Sequence, residues 1–438
     1  MRRPLWLALL ALWGTPAAAE DLLDVYRQAQ ANDPTWVGAQ ANYRATLELL
    51  PQARALRRPT VDANAAVSEN NQRVTTPSSD SRFDYRGTGY SLELVQPLYR
   101  RETSAAYEQA RHAVAQAEFE LTAARDDLVL RTARAYLAVL AARDAHEHAQ
   151  SEKSAVQRLL SLARRNFNVG SATLIDVHEA QAAFDLAVSQ EIAAANELEV
   201  RRQALALLTG KPPGNLALLT GRLDLTQPAA TMDSRVGAAL DANPQLKANE
   251  RLVERVAQEI DRQRAGSSPR LDAVLAREYN DSTNVFGTPT ENTVDYLSLQ
   301  LNVPLYRGGL IDSRVREAVA RHDEARSRLE STRRGVAQQA REAHLAVLNG
   351  IAQTRALEQA RLSNQRALES TVLGQERGLR TGLDVLNNQR VLFRTLRELS
   401  NARYNLLLSQ LQLEAVTGTL DEQDLESINR LLSYTPGS

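Results

Sequence analysis

One short stretch occurs twice, and that repetition narrows the possible folds more than any other feature. Gly170–Val177 reads GSATLIDV, and Arg377–Asn388 reads RGLRTGLDVLNN. Gly170, Thr173, Asp176 and Val177 recur as Gly378, Thr381, Asp384 and Val385, each 208 residues later (384 − 176). A constant offset over such a distance marks an internal repeat. In both copies glycine interrupts a helical pattern: Gly170 in the first, Gly378 and Gly382 in the second. A threonine follows that can cap a new helix. An acid then lies in the first turn of that helix, where a carboxylate suits the helix dipole. Two helical hairpin tips therefore carry an acid in the same place.

The rest of the chain repeats in the same order. Asp33-Pro34 is echoed by Asn243-Pro244, and Pro59, Val61, Asp62 and Ala63 by Pro269, Leu271, Asp272 and Ala273. Pro97-Leu98-Tyr99-Arg100 returns as Pro304-Leu305-Tyr306-Arg307, and Thr209-Gly210 as Thr417-Gly418. The reading is one helix–hairpin–helix unit duplicated in tandem, at 20–210 and 229–418. A proline-bearing connector, 211–228, joins them, and 419–438 forms a tail. Each unit opens with a helix. A β-hairpin follows at 60–96 or 270–304, and then a long helical hairpin at 102–210 or 310–418.

The strands are read from a period of two. Val61, Ala63, Ala65 and Val67 alternate with Asp62, Asn64 and Ser68. Leu297, Leu299, Leu301 and Val303 alternate with Ser298, Gln300 and Asn302. Glu69–Asp84 and Asn280–Thr293 read as polar loops, and Pro97 as the end of the second strand. The helices are read from spacings of three and four. Ala106, Ala110, Ala113, Ala117, Leu121, Ala124 and Leu128 form a seam of small residues, and Leu392, Leu399, Leu406 and Leu413 recur every seven. A run from Glu102 to Phe167 would extend roughly 100 Å at ~1.5 Å per residue. That is too long for an ordinary globular helix and points to a coiled coil.

Met1–Ala19 reads as a secretory signal peptide: Arg2 and Arg3, an apolar Leu5–Trp13, and Ala17-Ala18-Ala19 as the cleavage site. The apolar run is too short for an uncleaved anchor, and no later segment nears the ~18 apolar residues of a membrane helix. With no cysteine there is no disulfide framework and no cysteine metal site. Removing Arg2 and Arg3 from 52 basic residues leaves 50 against 53 acidic ones, so nothing suggests nucleic acid as a partner. An enzyme finds little support. His146 and His148 are two apart on a helix, and His178 adjoins Glu179, so neither pair has helical metal-ligand spacing. A solvated helix face accounts for them. No phosphate loop or nucleophile motif appears, and no cofactor is expected.

Amphipathic strands in an exported chain pose a closure problem. Two isolated hairpins cannot protect their edges, and membrane barrels begin at about eight strands. A barrel shared between three chains would have twelve. In lipid every backbone group must be paired, so such closure would be obligatory. The long helices carry Arg, Glu and Gln and must project into water, where coiled-coil seams would make a hollow cylinder. The alternative is a soluble periplasmic coiled-coil adaptor or scaffold, against which the strand alternation argues.

At Asn32-Asp33-Pro34, Phe167–Gly170, Asp176-Val177, Pro304–Gly309, Thr381–Leu386, Asn401–Asn405 and Gly418–Leu425 the chain resembles the TolC family of outer-membrane efflux and secretion channels. The resemblance spans essentially the whole mature chain, through the order and duplication of these segments. It implies a mainly α fold with a membrane β-barrel: a homotrimer with a twelve-stranded barrel in outer-membrane lipid and a periplasmic α-helical tunnel. It implies a periplasmic adaptor and an inner-membrane transporter of the ABC, RND or MFS type as partners. It also assigns roles at the tips. Asp384 matches one position of a pore-constricting aspartate ring, and Asn387 stands at the other. Arg380 and Asp176 match members of the links that close the entrance. Ile175 and Gln375 stand where the family has their partners. Gln375 could hydrogen-bond Asp176, whereas Ile175 offers Arg380 no acceptor. From the residues alone, Asp384 reads first as a helix cap, and the resemblance is what favours the pore.

Overall fold

The computed structural model describes residues 20–283 and 288–433. The leader segment at Met1–Ala19, 284–287 of the second polar loop, and 434–438 of the tail lie outside them. Helices α1 (Leu22–Asn32), α2 (Pro34–Leu47) and α3 (Leu49–Ala55) lead to strands β1 (Thr60–Thr76) and β2 (Ser79–Arg100). Helices α4 (Arg101–Asn168) and α5 (Leu174–Thr209) follow, then a short β3 (Leu218–Leu219). The order repeats as α6 (Met232–Ala242), α7 (Pro244–Arg264), β4 (Arg270–Thr283), β5 (Pro289–Asn302), α8 (Leu310–Glu376) and α9 (Gly382–Thr417). Helix α10 (Glu422–Asn429) and β6 (Leu432–Ser433) come last. The long α4 and α8, 68 and 67 residues, contain no proline and are filled with Ala, Leu, Arg, Glu and Gln, all strong helix formers. Among the described residues no helix is long and apolar enough to cross a membrane.

The chain divides into two compact units. One comprises Ala41–Leu121 and Gln245–Thr332 and holds the large sheet. Its four strands are antiparallel in the order β1-β2-β4-β5. The two hairpins are thus joined edge to edge, β2 pairing with β4 from Thr88 opposite Asp281 to Arg100 opposite Arg270. Strands β1 and β5 are left as edges. Register puts Val61, Ala63, Leu92, Leu94, Leu275, Leu297 and Leu299 on one face, and Asp62, Ser91, Glu93, Ser298 and Gln300 on the other. The apolar face is bare: Leu297 is 75% exposed and Leu299 69%.

Three expectations about these strands are corrected. Glu69–Asp84 is not a loop. β1 and β2 stay paired through it to Thr76 opposite Ser79, leaving only Pro77-Ser78 as the turn. The hydrophobic alternation stops there, but pairing continues through polar cross-strand partners such as Arg73 with Asp80 and Asn71 with Asp84. Asn280–Thr293 likewise contributes to β4 and β5, which pair as far as Thr283 opposite Pro289. Pro97 does not end β2. The register shifts between Pro97 and Tyr99, and the strand runs on to Arg100. A β-bulge accommodates the missing N–H of proline. Beyond the bulge Arg100 makes a bidentate bridge to Asp272, both bonds 2.8 Å.

The second unit is helical, built from the chain up to Gln40, Thr122–Pro244 and Arg333 onward. Asp33 ends α1, its N–H donating to the Ala29 carbonyl, and its carboxylate accepts from the Trp36 N–H at 3.0 Å at the start of α2. Pro34 fits because a first helical residue needs no N–H. Asn243-Pro244 repeats this between α6 and α7, the Asn243 N–H reaching the Ala239 carbonyl. Asp33 is only 3% exposed and takes Arg131 at 2.9 and 3.3 Å. That hydrogen bond, assisted by the Trp36 N–H, holds the carboxyl below its usual range despite burial. The buried Tyr136 hydroxyl donates to the Ala217 carbonyl at 2.8 Å, and burial pushes it up. Gly210 and Gly418 close α5 and α9 in left-handed conformation, φ 75° and 71°.

Two outcomes follow for stability. A Cβ at Gly418 would collide with the Ala242 carbonyl, whereas one at Gly170, φ 76°, would meet nothing within 4 Å. Gly170→Ala should therefore cost only the left-handed backbone penalty, about 1–2 kcal/mol, and Gly418→Ala clearly more, measured as melting temperatures. The lowered Asp33 pKa contributes stability that is complete above the unfolded carboxyl pKa and disappears as pH falls through the folded one. Asp33→Asn should cost about 1.5–3 kcal/mol at neutral pH and flatten the acid limb of the denaturation curve relative to wild type.

Candidate functional site

The two tips share the same backbone turn and the same helix cap. At the end of α4 the Gly170 N–H donates to the Phe167 carbonyl (3.0 Å) and the Ser171 N–H to Asn166 (2.8 Å). At the end of α8 the Gly378 N–H donates to Gln375 (2.9 Å) and the Leu379 N–H to Gly374 (2.8 Å). Gly170 and Gly378 have φ of 76° and 73°, the left-handed region that glycine enters at no cost. Gly382 is not part of the break. Thr381 is the N-cap, so Gly382 is the first residue of α9.

Each new helix starts with a reciprocal capping box. The Thr173 hydroxyl accepts from the Asp176 N–H at 3.2 Å, and the Asp176 carboxylate accepts from the Thr173 N–H and hydroxyl, both at 2.8 Å. Thr381 and Asp384 do the same at 3.2, 2.9 and 3.1 Å. In the single chain the Thr381 hydrogen bonds, backbone first, hold the Asp384 carboxyl below the usual range, and Arg380 adds to this. Asn387 lies three residues on, exposed, on the adjoining helix face.

Both tips border one cleft of about 320 Å³. Asp176 and Glu179 line it from α5, and Gln375, Arg380, Thr381 and Gly382 from α8, α9 and the turn between them. Its apolar side includes Leu159 and Leu386, the latter 3% exposed and packed on Val156 and Ala183. The structure thus brings Asp176, Gln375 and Arg380 together around one space. It does not join Asp176 to Gln375: among the described residues the Asp176 carboxylate bonds only Thr173, through one of its two oxygens. The Gln375 amide lies over Gly382, where an added Cβ would be 3.5 Å from it. Ile175 is 68% exposed, and the Arg380 stem rests on Gly374.

A polar ladder above the cleft went unread in the sequence. Tyr404 of α9 donates to Asp144 of α4 at 2.9 Å, and Arg397 donates to Glu152 at 2.9 Å. Burial pushes the Tyr404 hydroxyl up, and the Asp144 charge adds to this. His148 lies between the two rungs and is half-buried rather than solvated, its pKa pushed down by burial. The available signal was spacing: 144, 148 and 152 share a face of α4, as 397 and 404 share one of α9. Among the described residues no group of acids and histidines could hold a metal ion.

The model of the family described as "Outer membrane efflux protein" matches residues 25–211 and 236–419. The chain is 32% identical to outer membrane protein TolC of Vibrio cholerae over 98% of both chains. It is 31% identical to the alkaline protease secretion protein AprF of Pseudomonas aeruginosa, covering 98% of this chain and 91% of that one. Among solved structures, VceC of Vibrio cholerae aligns with a TM-score of 0.76 at 21% identity over 91% of this chain and 96% of that one. The CmeC channel of Campylobacter jejuni aligns at 0.78 and 16%, over 94% and 90%. These last two show the shared fold, and the family match extends over both halves of the duplicated chain. The chain belongs to the outer membrane efflux protein family.

Proposed function

We propose that three copies of this chain form an outer-membrane exit duct, serving efflux or type I secretion. The observation that carries this reading is the open four-stranded sheet: one bare apolar face, one polar face, and two unpaired edges. Such edges are stable in a bilayer only when another strand completes them. Three sheets of four strands make a twelve-stranded barrel with its polar faces inward. The relatives support the destination of the traffic, since one is named as a TolC protein and another as a protease secretion protein. A periplasmic adaptor and an inner-membrane transporter would deliver the cargo. A channel needs no catalytic residue or cofactor, in keeping with the character of the family.

The aperture lies at the tips. Asp384, one per chain, forms a carboxylate ring that attracts cations, and Asn387 adds a neutral polar ring beside it. Asp384 is cap and ring at once: one oxygen is bound to Thr381, yet its charge is retained. Arg380, Asp176 and Gln375 face a common cleft, so movement of α8 and α9 against α4 and α5 would change it directly. Ile175 gives Arg380 no acceptor, so closure rests less on that link than on the packing of Leu386 and the ladder at Asp144–Tyr404 and Glu152–Arg397.

Single-channel recording tests these roles. Asp384→Ala should lower the cation-to-anion permeability ratio several-fold; an unchanged ratio removes Asp384 from the aperture. Thr381→Ala should cost about 1 kcal/mol of helix capping and, by removing the hydroxyl bond while the backbone N–H remains, relieve part of the depression of the Asp384 pKa. Cation selectivity should then fall away at a higher pH than in wild type, because the carboxylate gains its proton sooner. Arg380→Ser should change closed-state conductance little, and a large increase would show that Arg380 holds the entrance.

A further inference from the structure

A second cavity, of about 620 Å³, lies within the sheet-bearing unit. Helices α3, α4, α7 and α8 all line it. Its apolar side is formed by Leu49 of α3 and Leu56 just after it, Ala106 and Ala110 of α4, and Val256 of α7. The size falls in the range of small-molecule pockets, ~300–1,000 Å³.

The charges around it do not balance. Glu259 is consumed by its neighbours: Arg262 donates to it twice, at 2.7 and 2.8 Å, and Gln109 at 2.6 Å. Arg321 is occupied by Glu317 at 2.9 Å. Arg255 also lines the cavity and is half-buried, yet makes no hydrogen bond or ion pair among the described residues. One cation therefore stands unspent beside an apolar wall. A guanidinium held partly out of water with no counter-ion favours an anion more than a solvated one does.

One ion pair ties the cavity-lining face of α4 to one side of the sheet. Glu102, Ala106, Gln109 and Ala113 recur at spacings of three and four and share one face of α4. Arg270 donates to Glu102 at 2.7 Å. Arg270 stands opposite Asn302 and two residues from Asp272, on the polar face of β4. Glu102, on the same face of α4 as the cavity-lining Ala106, Gln109 and Ala113, is thus tied to the polar side of the sheet, which the proposed duct turns inward.

We propose that this cavity binds an anionic amphiphile: an apolar body of small-molecule size carrying one carboxylate or sulfonate, with Arg255 holding the anion. The proposal rests on the channel reading, and it gives the duct wall a resting site for one class of cargo. The test uses full-length protein in detergent, with its conductance in a planar bilayer recorded from the same preparation. Anilinonaphthalene sulfonate serves as the anionic probe, and phenylnaphthylamine, the same apolar body without the sulfonate, as its control. Wild type should bind the sulfonate saturably and more tightly than the control. Arg255→Gln should weaken the sulfonate about tenfold or more and leave the control unchanged, while Arg255→Lys keeps most of the affinity. Ala110→Leu, which fills the apolar side, should weaken both probes. Protein that conducts but binds both probes equally, binds neither saturably because a second copy covers the groove, or ignores Arg255→Gln overturns the proposal alone. Protein that does not conduct overturns the reading beneath it.

Discussion

Everything in this chain answers to the edges of one sheet. A strand edge is a row of backbone donors and acceptors, and in hydrocarbon each one left unmade costs several kcal/mol. β1 and β5 present such rows, and the face between them is apolar and bare. Water punishes the face and lipid punishes the edges. The arrangement that satisfies both is closure with other copies in a membrane, with the polar face inward. The bulge at Pro97 and the Arg100–Asp272 bridge fit this account: both lie where β2 and β4 give way to helices and hydrogen bonding must change from ladder to i→i−4.

Duplication explains how a single design supplies both long helical hairpins and their tips. The tips at Gly170 and Gly378 use the same left-handed turn and the same capping box. The local backbone problem, ending one long helix and starting another within a few residues, is solved identically in both. What differs is what surrounds the box. Asp176 borders a cleft shared with Gln375 and Arg380, whereas Asp384 adjoins Arg380 and has Asn387 one turn away. Identical caps have thus been left free to diverge in role, because the cap uses only one carboxylate oxygen.

The tips were legible in the sequence because capping is local: Thr381 and Asp384 sit three apart whatever the rest of the chain does. The long helices were legible because nothing in them breaks the period. The strands were legible only where apolar and polar residues alternate in the sequence. From Glu69 to Asp84 both faces are polar, the period vanishes, and pairing depends on partners such as Arg73 and Asp80 that are recognised only once the register is known. Gly382 was misplaced because glycine signals a break in sequence, whereas the cap at Thr381 sets where the helix starts. Spacing puts Asp144 and Glu152 on one face of α4 and Arg397 and Tyr404 on one face of α9, but that these two faces meet depends on which helices pack together. The same holds for Arg255, whose lack of a partner emerges only from the arrangement of four helices.

The most direct test of the central claim combines a mass with a current. Detergent-extracted protein would be weighed by light scattering with the detergent subtracted, and the same fraction added to a planar bilayer. The account predicts a trimer that inserts and passes small, cation-selective currents. A monomer that stays soluble without detergent and never conducts would contradict it, because the edges of β1 and β5 would then be stable with no second copy to complete them.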